Sequence, residues 1–323
     1  MQLENPSVIN EMSAELAKLK KQNEMLQLNV EELTRTNEFL VTATWREREM
    51  KQRLHEALEE LTETKKLVDA QHKSITDSID YASKIQDAII PKIDDIKTKF
   101  TDIFIYHEAK DVVSGDFPWI FENENYIYVA AVDCTGHGVP GAMMSLIGHL
   151  LLNDIARHGS LSPGELLDHL HNGVVRTLKQ DVAGKQTSDG MDVALCRIDR
   201  NTNVVQYSGA HRPLYYVTNN ELVLFAGDKY PIGGNQYKSR GEFTTYIIQP
   251  KAGECIYFFS DGLTDQFGGA DGMKFGPRRT REILLNNAGL DMQEQKKKIK
   301  EAFDEWKGPN KQIDDLLLIG IKF

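Results

Sequence analysis

The first 114 residues contain no glycine, and no proline stands between Pro6 and Pro91. A turn-rich fold is therefore excluded for the front of the chain, because these two residues supply most tight turns and helix breaks. Cysteine is also scarce. Cys134, Cys196 and Cys255 are scattered and odd in number, so they fit neither a disulfide framework nor a zinc site. A reducing, cytoplasmic setting is expected. Basic charge is in deficit, with 38 Lys and Arg against 48 Asp and Glu and a net charge of −10. That argues against a nucleic-acid partner, which needs a basic face. No apolar run near 18 residues stands out, so no membrane insertion is expected. The start, MQLENPSVINEMSAE, has no basic segment followed by an apolar one, so no secretory signal is read. No phosphate-binding P-loop or dinucleotide fingerprint occurs.

What the front does contain is Glu, Lys, Leu and Gln in a 3-4 alternation. With Leu16 at position a, the a/d series runs Leu16, Leu19, Asn23, Leu26, Val30, Leu33, Asn37, Leu40. The phase fails at Thr44, Glu47 and Lys51, which reads as a stutter or a hinge. It resumes at Leu54, Leu58, Leu61, Val68, Ile75, Ile79, Ala82 and Ile89. Leu at d with Val or Asn at a predicts a parallel two-stranded coiled coil, the buried Asn fixing register. An unbroken helix over about residues 12–90 would extend about 115 Å, and alone it could not bury its stripe. From Ser74 the apolar stripe widens to Ile75, Ile79, Tyr81, Ala82, Ile85, Ile89 and Ile90. Such a face can serve a partner helix and the chain's own domain. Pro91 ends it. The expected organisation is a dimerisation coiled coil at 1–73, a linker helix at 74–91 and a compact domain at 92–323. Ile75, Ile79, Ala82, Ile85 and Ile89 are the candidate regulatory positions.

All 24 glycines lie in the back of the chain. Strands are expected at DIFIYHEA, FPWIF, YIYVAAVD, MDVALCRID, VVQYSG, PLYYVT, ELVLFAG, EFTTYIIQ, ECIYFFSD and DLLLIGIKF. Helices are expected at Ala142–His158, Pro163–Lys179, Arg279–Asn287 and Asp291–Trp306, with Ser162 capping the second of them. Many antiparallel strands with helices in two blocks give an α+β class, most simply a β-sandwich flanked by helices.

Aspartates fall at the ends of these strands. FPWIF and YIYVAAVD, split by Glu122-Asn123-Glu124-Asn125, read as a hairpin whose folding brings Asp116 and Asp133 to one edge. Two buried carboxylates there repel unless a proton or cation lies between them. Asp261 ends ECIYFFSD, and Asp314 and Asp315 open the last strand. Taken singly, each is as well explained by turn chemistry. Together on one rim they would suit hard cations such as Mg²⁺ or Mn²⁺. The glycine loop after Asp133 allows close backbone approach and leads into a helix N-terminus that favours anions.

SGDF, DCTGHGVPGAMMS, SGAHRPLYY, YPIGG, SDGLTDQFGG and DDLLLI, in this order over about residues 75–323, resemble the PPM class of metal-dependent Ser/Thr phosphatases, in particular its bacterial SpoIIE-type branch. The resemblance implies an α-β-β-α sandwich, two Mn²⁺ or Mg²⁺ ions, and hydrolysis of phosphoserine or phosphothreonine by metal-activated water without a covalent intermediate. It implies that Asp133 bridges the ions beside the Cys134 carbonyl, that Asp261 and Asp314 hold one ion and that Asp116 serves the other. Asp315 is the alternative to Asp314. It further implies a phosphorylated STAS-type anti-anti-sigma protein as substrate. The heptad phase runs through Ile75, Ile79 and Ala82 with no flexible linker before the domain, so control of activity through the coiled coil is expected, with an upstream sensor as a possible partner. Pro118 and Leu317 depart from the family pattern without removing a ligand. No arginine matches the phosphate clamp of the eukaryotic members, which leaves Lys110 as a weak substitute. His137 reads either as proton donor to the leaving oxygen or as a loop-holding residue. His211 reads as a packing or loop-bonding residue. Asp189 and Asp192 read as a third metal site or as groups behind the first two ions, against a turn followed by a strand start. Cys134 is a candidate oxidation site, against a plain half-buried residue. The alternative to catalysis is a pseudophosphatase acting as a dimeric phosphoprotein-binding scaffold. A small-molecule phosphoesterase is the third reading.

Overall fold

The structure, a computed structural model, describes residues 6–91, 93–97, 100, 102–182, 188–234 and 241–323. The expected domain edges at 1 and 92 lie outside these residues. The chain forms two compact units, Met1–Ile75 and Thr76–Phe323. Helix α1, Pro6–Ile89, runs without interruption, so the phase break at Thr44–Lys51 leaves the backbone helical. Within the first unit the heptad residues Leu16, Leu19, Leu26, Val30, Leu33, Leu40, Leu54, Leu58, Leu61 and Val68 are each more than half exposed. Burying one such side chain contributes about 1.5–3 kcal/mol, and this helix buries none of them by itself.

The second unit is built on two antiparallel sheets. One has five strands in the order β1 (Ile103–Glu108), β13 (Leu316–Lys322), β10 (Cys255–Phe259), β6 (Leu214–Thr218) and β7 (Glu221–Phe225). The other runs β2 (Phe117–Glu122), β3 (Tyr126–Cys134), β4 (Gly190–Asp199), β5 (Val205–Ala210) and β9 (Tyr246–Ile248). The two-residue β8 (Ile232–Gly233) pairs with β4.

Alternation along each strand sorts side chains into three cores. Between the sheets lie Ile103, Ile105, Val129, Ala131, Ala194, Cys196, Tyr207, Ile256, Phe258, Leu317, Ile319 and Ile321. The opposite faces of the same strands pack on helices. Tyr128, Ala130 and Val132 meet α3 (Gly138–Arg157) and α4 (Pro163–Thr177) through Met144, Leu152, Leu166 and Leu170. Phe104, Tyr257, Leu316 and Leu318 meet α6 (Gly276–Asn287) and α7 (Met292–Lys307) through Leu284, Ile299 and Phe303. The result is the four-layer α-β-β-α sandwich.

Each expected strand and helix is present, with ends moved by a few residues. EFTTYIIQ shrinks most, to β9. Ser162 caps α4 with a reciprocal capping box through Glu165. Short elements escaped the sequence reading: α2 (Ile93–Lys97), α5 (Gly262–Asp265), β8, β11 (Phe267–Gly268) and β12 (Met273–Lys274). Among the described residues α3 is long and apolar enough to cross a membrane, which corrects the reading that no such run exists. Its composition follows from packing, since Gly141, Ala142, Met144, Ser145, Gly148, His149, Leu152 and Ala156 are buried.

Candidate active site

The hairpin pairs Phe117 with Val132 in antiparallel register, which sets Asp116 beside Asp133 at one sheet end, as the sequence predicts. Asn123 closes its turn by accepting the N–H groups of Asn125 and Tyr126. On the other side of β3, Asp133 lies directly opposite Asp192. From the five-stranded sheet, β10 leads through Ser260 to Asp261, whose amide donates to Asp133 Oδ2 at 3.2 Å. Four aspartates from two sheets thus meet on one rim.

Two close backbone approaches make this possible. A Cβ on Gly262 would fall 1.9 Å from the Asp315 carbonyl oxygen, and one on Gly141 would fall 2.2 Å from the Gly136 carbonyl oxygen. Both glycines sit in the quoted motifs, and the physical reason is space. Gly136 and Gly138 also take positive φ of 84° and 64°, the left-handed region that glycine adopts freely.

The acids divide by environment. Asp116 is buried, and its Oδ2 has no hydrogen-bond partner. Burial, and then the neighbouring Asp133 charge, push its carboxyl well above the ordinary range. Burial also raises Asp133, against the pull of Arg212. Asp314 is raised by burial as well, and its Oδ1 accepts the Asp315 amide at 2.9 Å. Asp315 is bonded through both oxygens, to the amides of Lys110 and Gly115 at 2.7 Å each. It fastens the loop before Asp116 to β13, whereas Asp314 keeps an oxygen clear of such backbone bonds among the described residues. The Cys134 carbonyl oxygen would lie 3.4 Å from a Cβ on Gly115, at the lip of the same cradle. The Cys134 thiol is buried and free. Burial raises its pKa well above the usual range, which disfavours the reactive thiolate.

An orphaned buried carboxylate oxygen beside other carboxylates and backbone carbonyls is a donor set that hard divalent cations fit in kind. Among the described residues no group of three or more Asp, Glu, His or Cys side chains is gathered as a ready metal cage. The acids gather instead on an arginine that the sequence reading did not find. Arg212 Nη2 lies 2.9 Å from Asp133, 2.9 Å from Asp192 and 2.7 Å from Asp261. His211 binds Asp192 through Nδ1 at 3.0 Å, so of the two readings, packing and loop-bonding, the structure shows the bonding one. Arg212 was legible only in its neighbourhood, the GAHRP corner between two strands.

His137 stands apart from the acid cluster. It is exposed at the start of α3, and its Nδ1 pairs with Asp111 at 2.9 Å. Lys110 contributes its amide to Asp315.

The linker end of α1 reaches this site within the second unit. Ile79, Ala82 and Ile89 are partly buried, while Ile85 is exposed; Ile75 is exposed too and belongs to the first unit. The tightest tie is a residue outside that apolar set. Gln86 is buried and donates to the Ser114 carbonyl at 2.7 Å and to Ser145 Oγ at 2.8 Å; it accepts the Ser114 amide at 3.2 Å. Ser114 Oγ in turn bonds the amide and carbonyl of Asp116. Ile79, the 110–113 loop and the first residues of α3 also line a common cavity of about 540 Å³.

The family profile described as Stage II sporulation protein E (SpoIIE) matches residues 123–323. The SiaA-PP2C domain of Pseudomonas aeruginosa is 30% identical, with a TM-score of 0.71, over 79% of this chain and 99% of that one. The chain belongs to the SpoIIE family. Its sandwich is therefore a Ser/Thr phosphatase domain of the PPM/PP2C class, a class that uses Mg²⁺ or Mn²⁺. Two more distant structures share the fold. The phosphatase domain and regulatory fragment of Bacillus subtilis SpoIIE is 15% identical with a TM-score of 0.56, over 69% of this chain and 63% of that one. The RsbU and RsbW domains of Rv1364c from Mycobacterium tuberculosis are 18% identical with a TM-score of 0.54, over 68% and 59%. No curated protein sequence matches the chain.

Proposed function

We propose that this chain removes phosphate from serine or threonine of a protein substrate, of the STAS anti-anti-sigma type, in bacterial partner-switching signalling. The observation that carries the reading is the rim of aspartates, with the unpartnered Asp116 Oδ2 at its buried end, in a SpoIIE-family sandwich. Asp133 with the Cys134 carbonyl, Asp116, Asp261 and Asp314 would hold two divalent cations, while Asp315 secures the loop. When bound, the ions supply an activated water at neutral pH and positive charge for the phosphoryl oxygens. The chain's own residues do the positioning. Asp315 and Gln86 fix the SGD loop from two sides. His137, exposed and paired with Asp111, holds the loop that leads into α3.

The exposed heptad stripe of α1 supports a parallel homodimer, since burial against a second copy gives those side chains a dry face. We place control in the last turns of the helix. A rotation there would act on Gln86 and hence on the Ser114–Asp116 segment, with an upstream sensor as the input. Three buried free thiols suit a reducing cytoplasm. The test is Mn²⁺-dependent phosphate release from phosphorylated STAS proteins, with and without residues 1–73. Substrate-selective release that changes on truncation is expected. Equal, metal-independent background from both forms would favour a binding scaffold.

A further inference from the structure

Arg212 is held through its backbone as well as its side chain. It sits at the corner between β5 and β6, where His211 takes a left-handed φ of 60°, a conformation that residues other than glycine adopt at a cost and that clusters at functional sites. Its amide donates to the Ala210 carbonyl at 2.7 Å, and its carbonyl accepts the Tyr207 hydroxyl. Gly209 and Gly227 close over the same carbonyl; a Cβ on either would fall 2.2 or 2.6 Å from it. The backbone is thus clamped so that the side chain enters the acid cluster.

The pose of the guanidinium is unusual. Arginine favours the two-pronged fork on one carboxylate. Here a single nitrogen, Nη2, is shared among Asp133, Asp192 and Asp261 at 2.7–2.9 Å, while Nε is buried with no partner. Nη2 stands at the point where three carboxylates converge from two sheets. A single positive group there relieves their mutual repulsion, at the expense of an unsatisfied N–H.

We propose that Arg212 is a resident countercation. It neutralises Asp133, Asp192 and Asp261 and competes with the divalent cation for them, so that metal loading must displace the guanidinium. Arg212 is a positioning residue in this role, and its effect is on metal affinity and on stability without metal. The inference rests on the reading that these carboxylates take divalent cations.

The test uses the full chain and its Arg212→Gln and Arg212→Lys variants, titrated calorimetrically with Mn²⁺ and melted with and without it. Arg212→Gln is expected to bind Mn²⁺ about tenfold or more tighter, because the competing charge is gone. It should melt lower than wild type without Mn²⁺ and gain more on saturation. Arg212→Lys keeps the charge and should stay near the wild-type affinity. Folded Arg212→Gln with unchanged or weaker Mn²⁺ affinity overturns the proposal. Should Arg212→Gln fail to fold, side-chain ¹⁵N spectra of the wild type decide. The guanidinium signal missing from Arg212→Lys should change from fixed to freely rotating on Mg²⁺ saturation, and a signal that stays fixed overturns the proposal. A wild-type chain that binds no Mn²⁺ removes the underlying reading as well, a result distinct from equal affinities.

Discussion

Replacing Gln86 by Leu keeps the side-chain bulk and deletes three hydrogen bonds, those to the Ser114 carbonyl, the Ser114 amide and Ser145 Oγ. Ser145 Oγ keeps its bond to the Ala142 carbonyl. The Ser114 amide and carbonyl lose these partners in a buried setting, and each unsatisfied group costs about 1–3 kcal/mol. A loss of about 2–6 kcal/mol follows, which for a unit of this size lowers the melting temperature by about 4 °C or more. The loss falls on the segment whose Ser114 Oγ holds the amide and carbonyl of Asp116. The Mn²⁺ concentration for half-maximal phosphatase rate should therefore rise together with the drop in melting temperature. Gln86→Glu sets a buried acceptor-only carboxylate against the Ser114 carbonyl and should lose at least as much as Gln86→Leu. If Gln86→Leu melts within a degree of wild type and needs no more Mn²⁺, the helix does not support the loop and the coupling argument is wrong.

Gly141→Ala places a Cβ 2.2 Å from the Gly136 carbonyl and 3.0 Å from Gly115 Cα; backbone cannot yield, so a loss of about 3 kcal/mol and reduced Mn²⁺ affinity are expected from melts and titration. His149 is buried, with Nδ1 unpartnered and Nε2 on Asn153. Burial lowers its pKa below the ordinary 6.5. The unfolded chain thus takes up a proton before the folded one does, and stability falls as pH drops through 6.5 toward the folded value. Thermal melts at pH 7.5 and 5.5 should show a smaller drop for His149→Gln than for wild type; equal drops would assign the acid sensitivity elsewhere.

The parts of the site that sequence could reveal are those where chemistry and periodicity coincide. Asp116, Asp133, Asp261 and Asp314 stand at the ends of apolar runs, so a strand assignment carries each one to the rim. Asp192 and Arg212 do not have that advantage. Asp192 lies near the start of β4, where a metal-site role and plain turn chemistry read alike, and its place opposite Asp133 exists only in the β3–β4 register. Arg212 lies in a corner whose course depends on the left-handed His211, which no local pattern announces. Gln86 occupies an a position of the heptad series, where a polar residue looks like a flaw in the seam. Only the folded domain shows that this face meets Ser114 and Ser145. The layers of the sandwich were legible for the opposite reason. Alternating strands such as β3 and β13 need two dry faces, and the four helices supply the outer ones. Elements of two to five residues, such as α5 or β8, carry too little periodicity to be seen.

The central claim is that the carboxylates on this rim make the chain a divalent-cation-dependent phosphatase. Its most direct measurement is phosphate release from a phosphoserine protein across a Mn²⁺ titration, comparing wild type with Asp133→Asn. A saturable Mn²⁺ dependence in wild type, with background rates at every concentration in the variant, is predicted. Equal rates in the two proteins, or release indifferent to Mn²⁺, would contradict it.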